Sequence, residues 1–89
     1  MEVRWTAPAA QDLENIANYI QRENPSAARR VATALYDAAM SLDAFPERGR
    51  PGRIDGTREL VRAPYIIVYR VRDEALEILR IYHSAQNWP

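Results

Sequence analysis

Apolar residues recur at two spacings along this chain, and the change of spacing divides it near its middle. Leu13, Ile16, Ala17 and Ile20 follow the i, i+3, i+4, i+7 rule of a helix with one buried stripe. Thr6 stands ahead of them as an N-cap, and Pro8 falls in the first turn, where proline costs least; a helix is expected over about residues 7–22. Asn24-Pro25 stops this helix and starts another, with Asn24 as the cap and Pro25 at the first helical position. Val31, Leu35, Ala38 and Leu42 mark the inner face of that second helix, expected over about 25–43. Helices joined by so short a link pack antiparallel as a hairpin.

Phe45-Pro46 ends the helical half. All three glycines, Gly49, Gly52 and Gly56, follow with Pro51 in one loop of about 14 residues, a length that in a compact domain is more often functional than idle. Beyond it the period falls to two. Strand-like runs cover about 57–62, 65–72 and 76–83, the last two rich in Val, Ile and Tyr and separated by a turn at Asp73-Glu74. Residues 2–5 read as a further short strand. The order is strand, helix, helix, three strands, which is an α+β fold. Both apolar surfaces are buried if the helix hairpin covers one face of a mainly antiparallel sheet. The chain, residues 1–89, is long enough for one such domain and no more. Period two places Arg58, Leu60 and Arg62 on one face of their strand, and Ile66, Val68, Arg70 and Arg72 on one face of the next. In the last strand it puts Arg80 with Tyr82, and Leu79 with Ile81 and His83.

Charge changes this picture in one place. Twelve acids balance twelve basic residues, and every basic residue is arginine. Seven of these arginines lie between Arg48 and Arg72, where Asp55 and Glu59 are the only acids, so the window carries about +5. A guanidinium offers a planar fork of donors suited to carboxylate, phosphate and aromatic faces. The patch is either a solvated face with local ion pairs or a contact surface for nucleic acid or an acidic protein. On the second reading the contact residues are Arg48, Arg50, Arg53, Arg58, Arg62, Arg70 and Arg80. Trp88, near the end of the chain, either folds back over the sheet or joins that surface.

Candidate chemistry is sparse. The chain has no cysteine and one histidine, which leaves no ligand set for a metal, and no motif calls for a cofactor. His83 is either a general acid or base or a strand-end histidine bonded to the backbone. The Gly49-Arg50-Pro51-Gly52 loop lacks the lysine and the strand-to-helix setting of a P-loop. The longest apolar run, Tyr65 to Tyr69, is too short to span a bilayer, and the N-terminus lacks a signal-peptide core, so a cytoplasmic domain is expected.

The second half carries an ordered set of pieces. They are Gly49-Arg50-Pro51-Gly52, then Gly56-Thr57-Arg58-Glu59-Leu60-Val61, then Pro64-Tyr65-Ile66-Ile67-Val68-Tyr69-Arg70-Val71, and last Ile78-Leu79-Arg80-Ile81-Tyr82-His83 with the tail through Trp88-Pro89. This set resembles the RelE/ParE family of toxins from bacterial type II toxin–antitoxin modules. The first half matches in layout, and the second, from about Pro46, in residues. The resemblance implies a growth-inhibiting toxin, of the kind associated with plasmid stabilization, held inactive by a cognate antitoxin in a hetero-oligomer.

The family divides by target. RelE-like members cut mRNA on the ribosome; ParE-like members poison DNA gyrase without a nuclease site. RelE-like chains tend to carry an arginine after the tyrosine that opens the central strand and basic residues past the last strand. Here those positions are Ile66 and Gln86. Arg58 and His83 are the catalytic candidates if the chain is a metal-independent endonuclease. The resemblance favours the ParE-like branch, with the ribosome-dependent endonuclease as the alternative.

Overall fold

Two proline-started helices form where the spacing places them. In the computed structural model, which describes residues 1–86, α1 spans Ala7–Gln21 and α2 Pro25–Met40. Each is capped as the sequence indicates. Thr6 Oγ1 accepts from the Ala9 N–H at 3.3 Å, and Asn24 Oδ1 accepts from Ala27 at 3.0 Å, each satisfying a donor that the first turn leaves without a partner. α2 tightens into a 3-10 turn, Ser41–Asp43, which carries Leu42 into the core.

The strands are β1 (Glu2–Trp5), β2 (Arg50–Pro51), β3 (Arg58–Arg62), β4 (Tyr65–Arg72) and β5 (Ala75–His83). They form one sheet in the order β1-β5-β4-β3-β2. β3, β4 and β5 are antiparallel neighbours, as expected. β1 joins parallel to β5, so the sheet is mixed, and β2 is a two-residue strand inside what the sequence presents as loop. A parallel pair needs a long crossover connection, and the helix hairpin with β2, β3 and β4 lies between β1 and β5 in the chain. The β4–β5 turn holds Asp73 and Glu74 at φ 52° and 63°, the geometry that a two-residue hairpin needs to match strand twist.

One face of the sheet meets the helices. Leu60, Ile67, Tyr69, Leu76, Ile78 and Ile81 pack there against Ala9, Leu35, Ala38, Ala39 and Leu42. Leu13, Ile16 and Val31 flank this core as the helical spacing indicates, and Trp5 stacks on Tyr36 at 5.8 Å. The opposite face carries a smaller cluster of Ile66, Val68, Tyr82 and Leu79.

The last strand departs from simple alternation. Val68 pairs with Arg80 and Tyr69 with Ile78, so Leu79 is an extra residue in β5. The bulge resets the phase. Leu79 joins Tyr82 on the outer face rather than sharing a face with Ile81, while Arg80 is freed to reach α1. Thr6 pins this point: its N–H and its hydroxyl both donate to the Ile78 carbonyl, at 3.1 and 2.7 Å.

Outside the apolar cluster the outer face is laced with ion pairs, Arg70 Nε to Glu77 at 2.7 Å and Arg4 Nη2 to Glu2 at 3.1 Å. The hydrogen bonds from these guanidinium groups hold both carboxyls below the ordinary glutamate value of 4.5. A depressed folded-state value means that the unfolded chain takes up protons first. The pairs therefore stabilise fully above about pH 4.5 and lose that contribution as pH falls through the lower folded values. The urea midpoint should fall on this acid limb, and Glu77→Gln should make the limb shallower; Glu2 is exposed and Glu77 partly so, and the effect should shrink in high salt.

Candidate functional site

The Gly/Pro loop is held rigidly by three side chains from the sheet. Tyr69, fully buried, accepts from the Gly49 N–H at 2.8 Å and donates its hydroxyl proton to the Pro46 carbonyl at 2.7 Å. Arg58 Nη1 donates to the carbonyls of Gly49 at 2.8 Å and Glu47 at 3.4 Å. Glu59, only 3% exposed, accepts Arg50 Nε and Nη2 on one oxygen at 3.1 and 3.0 Å and the Arg53 N–H on the other at 3.4 Å. Gly49 is required by closeness: a Cβ there would stand 2.7 Å from the Tyr69 hydroxyl. Gly56 is required by conformation, at φ 85°.

So fastened, the loop presents Phe45 and Arg48. Phe45 is 60% exposed, and the Arg48 guanidinium lies 4.9 Å from its ring centroid while donating to Ser41 Oγ at 3.0 Å.

The arginines expected to share one surface have separate fates. Arg50 is tied to Glu59, and Arg70 to Glu77 on the outer face. Arg72 faces Asp73 at 3.8 Å. Arg80 turns toward α1, where Asp12 takes its Nε and Nη2 at 2.7 and 3.0 Å and also accepts the Ile81 N–H at 2.9 Å. The Asp12 hydrogen bond raises the Arg80 pKa above its ordinary value. Among the described residues, Arg48, Arg58 and Arg62 have no carboxylate at ion-pair distance. Arg62 Nη1 instead donates to the neighbouring Val61 carbonyl at 3.0 Å. Trp88 lies outside the described residues.

Arg58 and His83 do not meet. Arg58 pairs with Tyr69 and His83 with Tyr65, four residues apart on β4 and on opposite sides of it. Strand rise and spacing put their backbones about 16 Å apart. His83 Nδ1 accepts the Ala85 N–H at 3.0 Å, which in the neutral ring leaves the proton on Nε2. Gln86 closes the same turn: its Oε1 accepts the His83 N–H at 2.7 Å, and its own N–H donates to the His83 carbonyl at 2.9 Å. Ile66 is buried in the outer-face cluster. Tyr82, in the same cluster, has its pKa raised by burial and then by the Glu59 charge.

The register does assemble a row that sequence reasoning missed. Arg62, Tyr65 and His83 are cross-strand partners, with the Tyr65 and His83 rings edge to face at 5.5 Å. Beside the row, Val31, Ala34 and Leu35 of α2 and Pro64 of the β3–β4 turn complete a groove of about 200 Å³. Alternation put Arg62 on the face of Leu60, but nothing local pointed to α2 as the opposite wall. Glu59 also escaped notice as a fastener of the loop; its signal was an acid inside an apolar strand, nine residues after Arg50.

Comparison with known proteins agrees with this architecture. The family pattern described as the ParE toxin of the type II toxin–antitoxin system parDE matches residues 3–88. A candidate toxin of Sinorhizobium fredii, Y4kP, is 46% identical over 89 residues, covering 98% of this chain and 92% of the relative. A chain of the chromosomal ParDE system of P. aeruginosa superposes with a TM-score of 0.85 at 28% identity, covering 93% of this chain and 95% of that one. A chain of the RelBE2 toxin–antitoxin complex of Mycobacterium tuberculosis gives 0.70 at 32% identity, covering 92% and 95%. With a family match over nearly its whole length and the same two-helix, five-strand architecture, the chain belongs to the RelE/ParE family of type II toxin–antitoxin toxins.

Proposed function

We propose that this toxin acts without catalysis, by binding and poisoning DNA gyrase in the cytoplasm, and that a cognate antitoxin neutralises it. The observation that carries the reading is the separation of Arg58 from His83. Metal-free RNA cleavage needs a base for the 2′-hydroxyl, cations for the phosphate charge and an acid for the leaving oxygen, all around one phosphodiester. The backbones of Arg58 and His83 stand about 16 Å apart, and each side chain is turned to a partner of its own rather than toward the other. Arg58 is spent on loop carbonyls and His83 Nδ1 on a backbone N–H. Ile66 and Gln86 bring no charge to the positions where RNA-cutting relatives carry it. The match to the parDE toxin pattern favours the same branch, and the relatives in ParDE and RelBE2 systems support an antitoxin partner.

Purified chain added to gyrase and relaxed plasmid should block supercoiling and raise the cleavage complex, mRNA should stay intact in cells induced for the wild-type chain, and His83→Ala should leave its toxicity undiminished. Unchanged gyrase activity, together with cuts within codons by primer extension, would overturn the reading in favour of the ribosome-dependent endonuclease.

A further inference from the structure

One edge of the sheet is β1, and its residues carry a pattern that is complementary to itself. β1 borders only β5. The Thr6 N–H, just past the strand, donates to the Ile78 carbonyl of β5. Backbone groups alternate in direction along a strand. Glu2 and Arg4 therefore turn theirs to β5, and Val3 and Trp5 turn theirs away from the sheet. Side chains alternate between the two faces. Val3 and Trp5 pack toward the helix-face core, while Glu2 and Arg4 stand on the outer face with side chains 64% and 58% exposed.

We infer that the β1 edge pairs with the β1 edge of a second copy of this chain, antiparallel about a two-fold axis at Val3. Two symmetric copies of one edge bond best antiparallel, where residues directly opposite exchange both hydrogen bonds. Bond direction and charge then leave one register. Only Val3 and Trp5 offer outward groups, so odd residues must face odd residues. Val3 against the partner's Val3 sets Glu2 opposite the partner's Arg4 and Arg4 opposite the partner's Glu2, a favourable cross-strand pair at each end. Sliding two residues either way sets Arg4 against the partner's Arg4, or Glu2 against the partner's Glu2, and like charges directly opposite repel. A short charged edge normally keeps other strands off. Here opposite charges two residues apart turn away every register but this one.

The helix face favours the same register. It brings Met1, which is 50% exposed, opposite the partner's Trp5. Tyr36, stacked on Trp5 at 5.8 Å, is itself 47% exposed beside it. The pairing thus adds apolar contact on one face. On the other, each Arg4 exchanges its own Glu2, at 3.1 Å, for the partner's Glu2. Because odd residues face odd residues, both helix layers lie on one side of a continuous sheet. The pairing needs neither antitoxin nor target, so it stands apart from the function proposed above.

Sedimentation velocity of the full-length chain over a concentration series tests it. Wild type should pass from monomer to dimer as concentration rises, and hydrogen exchange of the Val3 amide should slow over the same range. Glu2→Arg and Arg4→Glu each set like charges opposite one another at both ends of the join, and each should weaken dimerisation about tenfold or more. Mixed together, these two variants set arginine opposite glutamate again, and they should associate to within about threefold of wild type. Arg22→Glu, at the far end of α1, changes net charge as Arg4→Glu does and should stay within about twofold. All three positions are exposed, so circular dichroism melts should show the variants folded. A chain that stays monomeric up to about 1 mM overturns the proposal. So does a dimer that the single reversals leave within twofold, or one that Arg22→Glu weakens as much as Arg4→Glu does. Reversed variants that fail to associate on mixing, or a Val3 amide whose exchange is independent of concentration, overturn it as well.

Discussion

Tyr69→Phe should lower the stability of this protein by about 2–4 kcal/mol, the cost of leaving the buried Gly49 N–H and the half-buried Pro46 carbonyl without their partner. The hydroxyl joins both sides of the loop, accepting from Gly49 and donating to Pro46, and Phe keeps the ring but neither bond. The ring fills the same core space, so no cavity term adds to the loss. For a chain of this length the melting temperature should drop by roughly 10–20 °C. Urea unfolding followed by circular dichroism measures the effect, and a loss below about 0.5 kcal/mol would mean that the loop is held by other contacts. Gly49→Ala should damage the same fastening from the other side, because its Cβ would sit 2.8 Å from the ring carbon Cε1 of Tyr69 as well as against the hydroxyl. Hydrogen exchange should show the loosening concentrated in residues 45–57, the segment that presents Phe45 and Arg48.

Asp12→Ala should cost about 2–3 kcal/mol. Its carboxylate accepts three bonds at once, two from Arg80 and one from the Ile81 N–H, and it joins α1 to the bulge in β5. Arg80 is 42% exposed in its side chain, so water recovers part of what its guanidinium loses. The Ile81 N–H is less well placed to do so, because Ile81 is buried. Asp12→Asn should fall between, since an amide oxygen in the place of Oδ2 keeps the bonds from Arg80 Nε and the Ile81 N–H while its NH2 opposes Arg80 Nη2. If Arg80→Ala and Asp12→Ala prove strictly additive in a double-mutant cycle, the pair does not act as the tie between helix and sheet.

Much of the fold is legible in local residues. Thr6, Asn24 and Pro25 mark helix starts because their physics is confined to one turn. The alternation in 58–62 and 65–72 reports the two faces of the sheet because side-chain direction is a property of each strand. The alternation in β5 misleads because one extra residue at Leu79 reverses the phase beyond it. That bulge is set by pairing with β4 and by Thr6, which is 72 residues from Ile78 in sequence.

The site is less legible than the fold. The arginine-rich window is plain in the composition, yet its residues divide among two sheet faces, a loop and an edge. Their partners decide which charge is spent. Glu59 neutralises Arg50 across a hairpin, and beyond the window Asp12 meets Arg80 from 68 residues away.

The sequence by itself determined the two capped helices, the three-strand half, the α+β class and the arginine-rich stretch, because capping, periodicity and charge are carried by neighbouring residues. Only the tertiary structure decided that β1 lies parallel beside β5, that Arg58 and His83 sit at opposite ends of β4's pairing, and that Arg62, among the described residues, stands without an acid beside a groove and a free strand edge. Those outcomes depend on register and on contacts between distant segments, and local spacing holds no record of either.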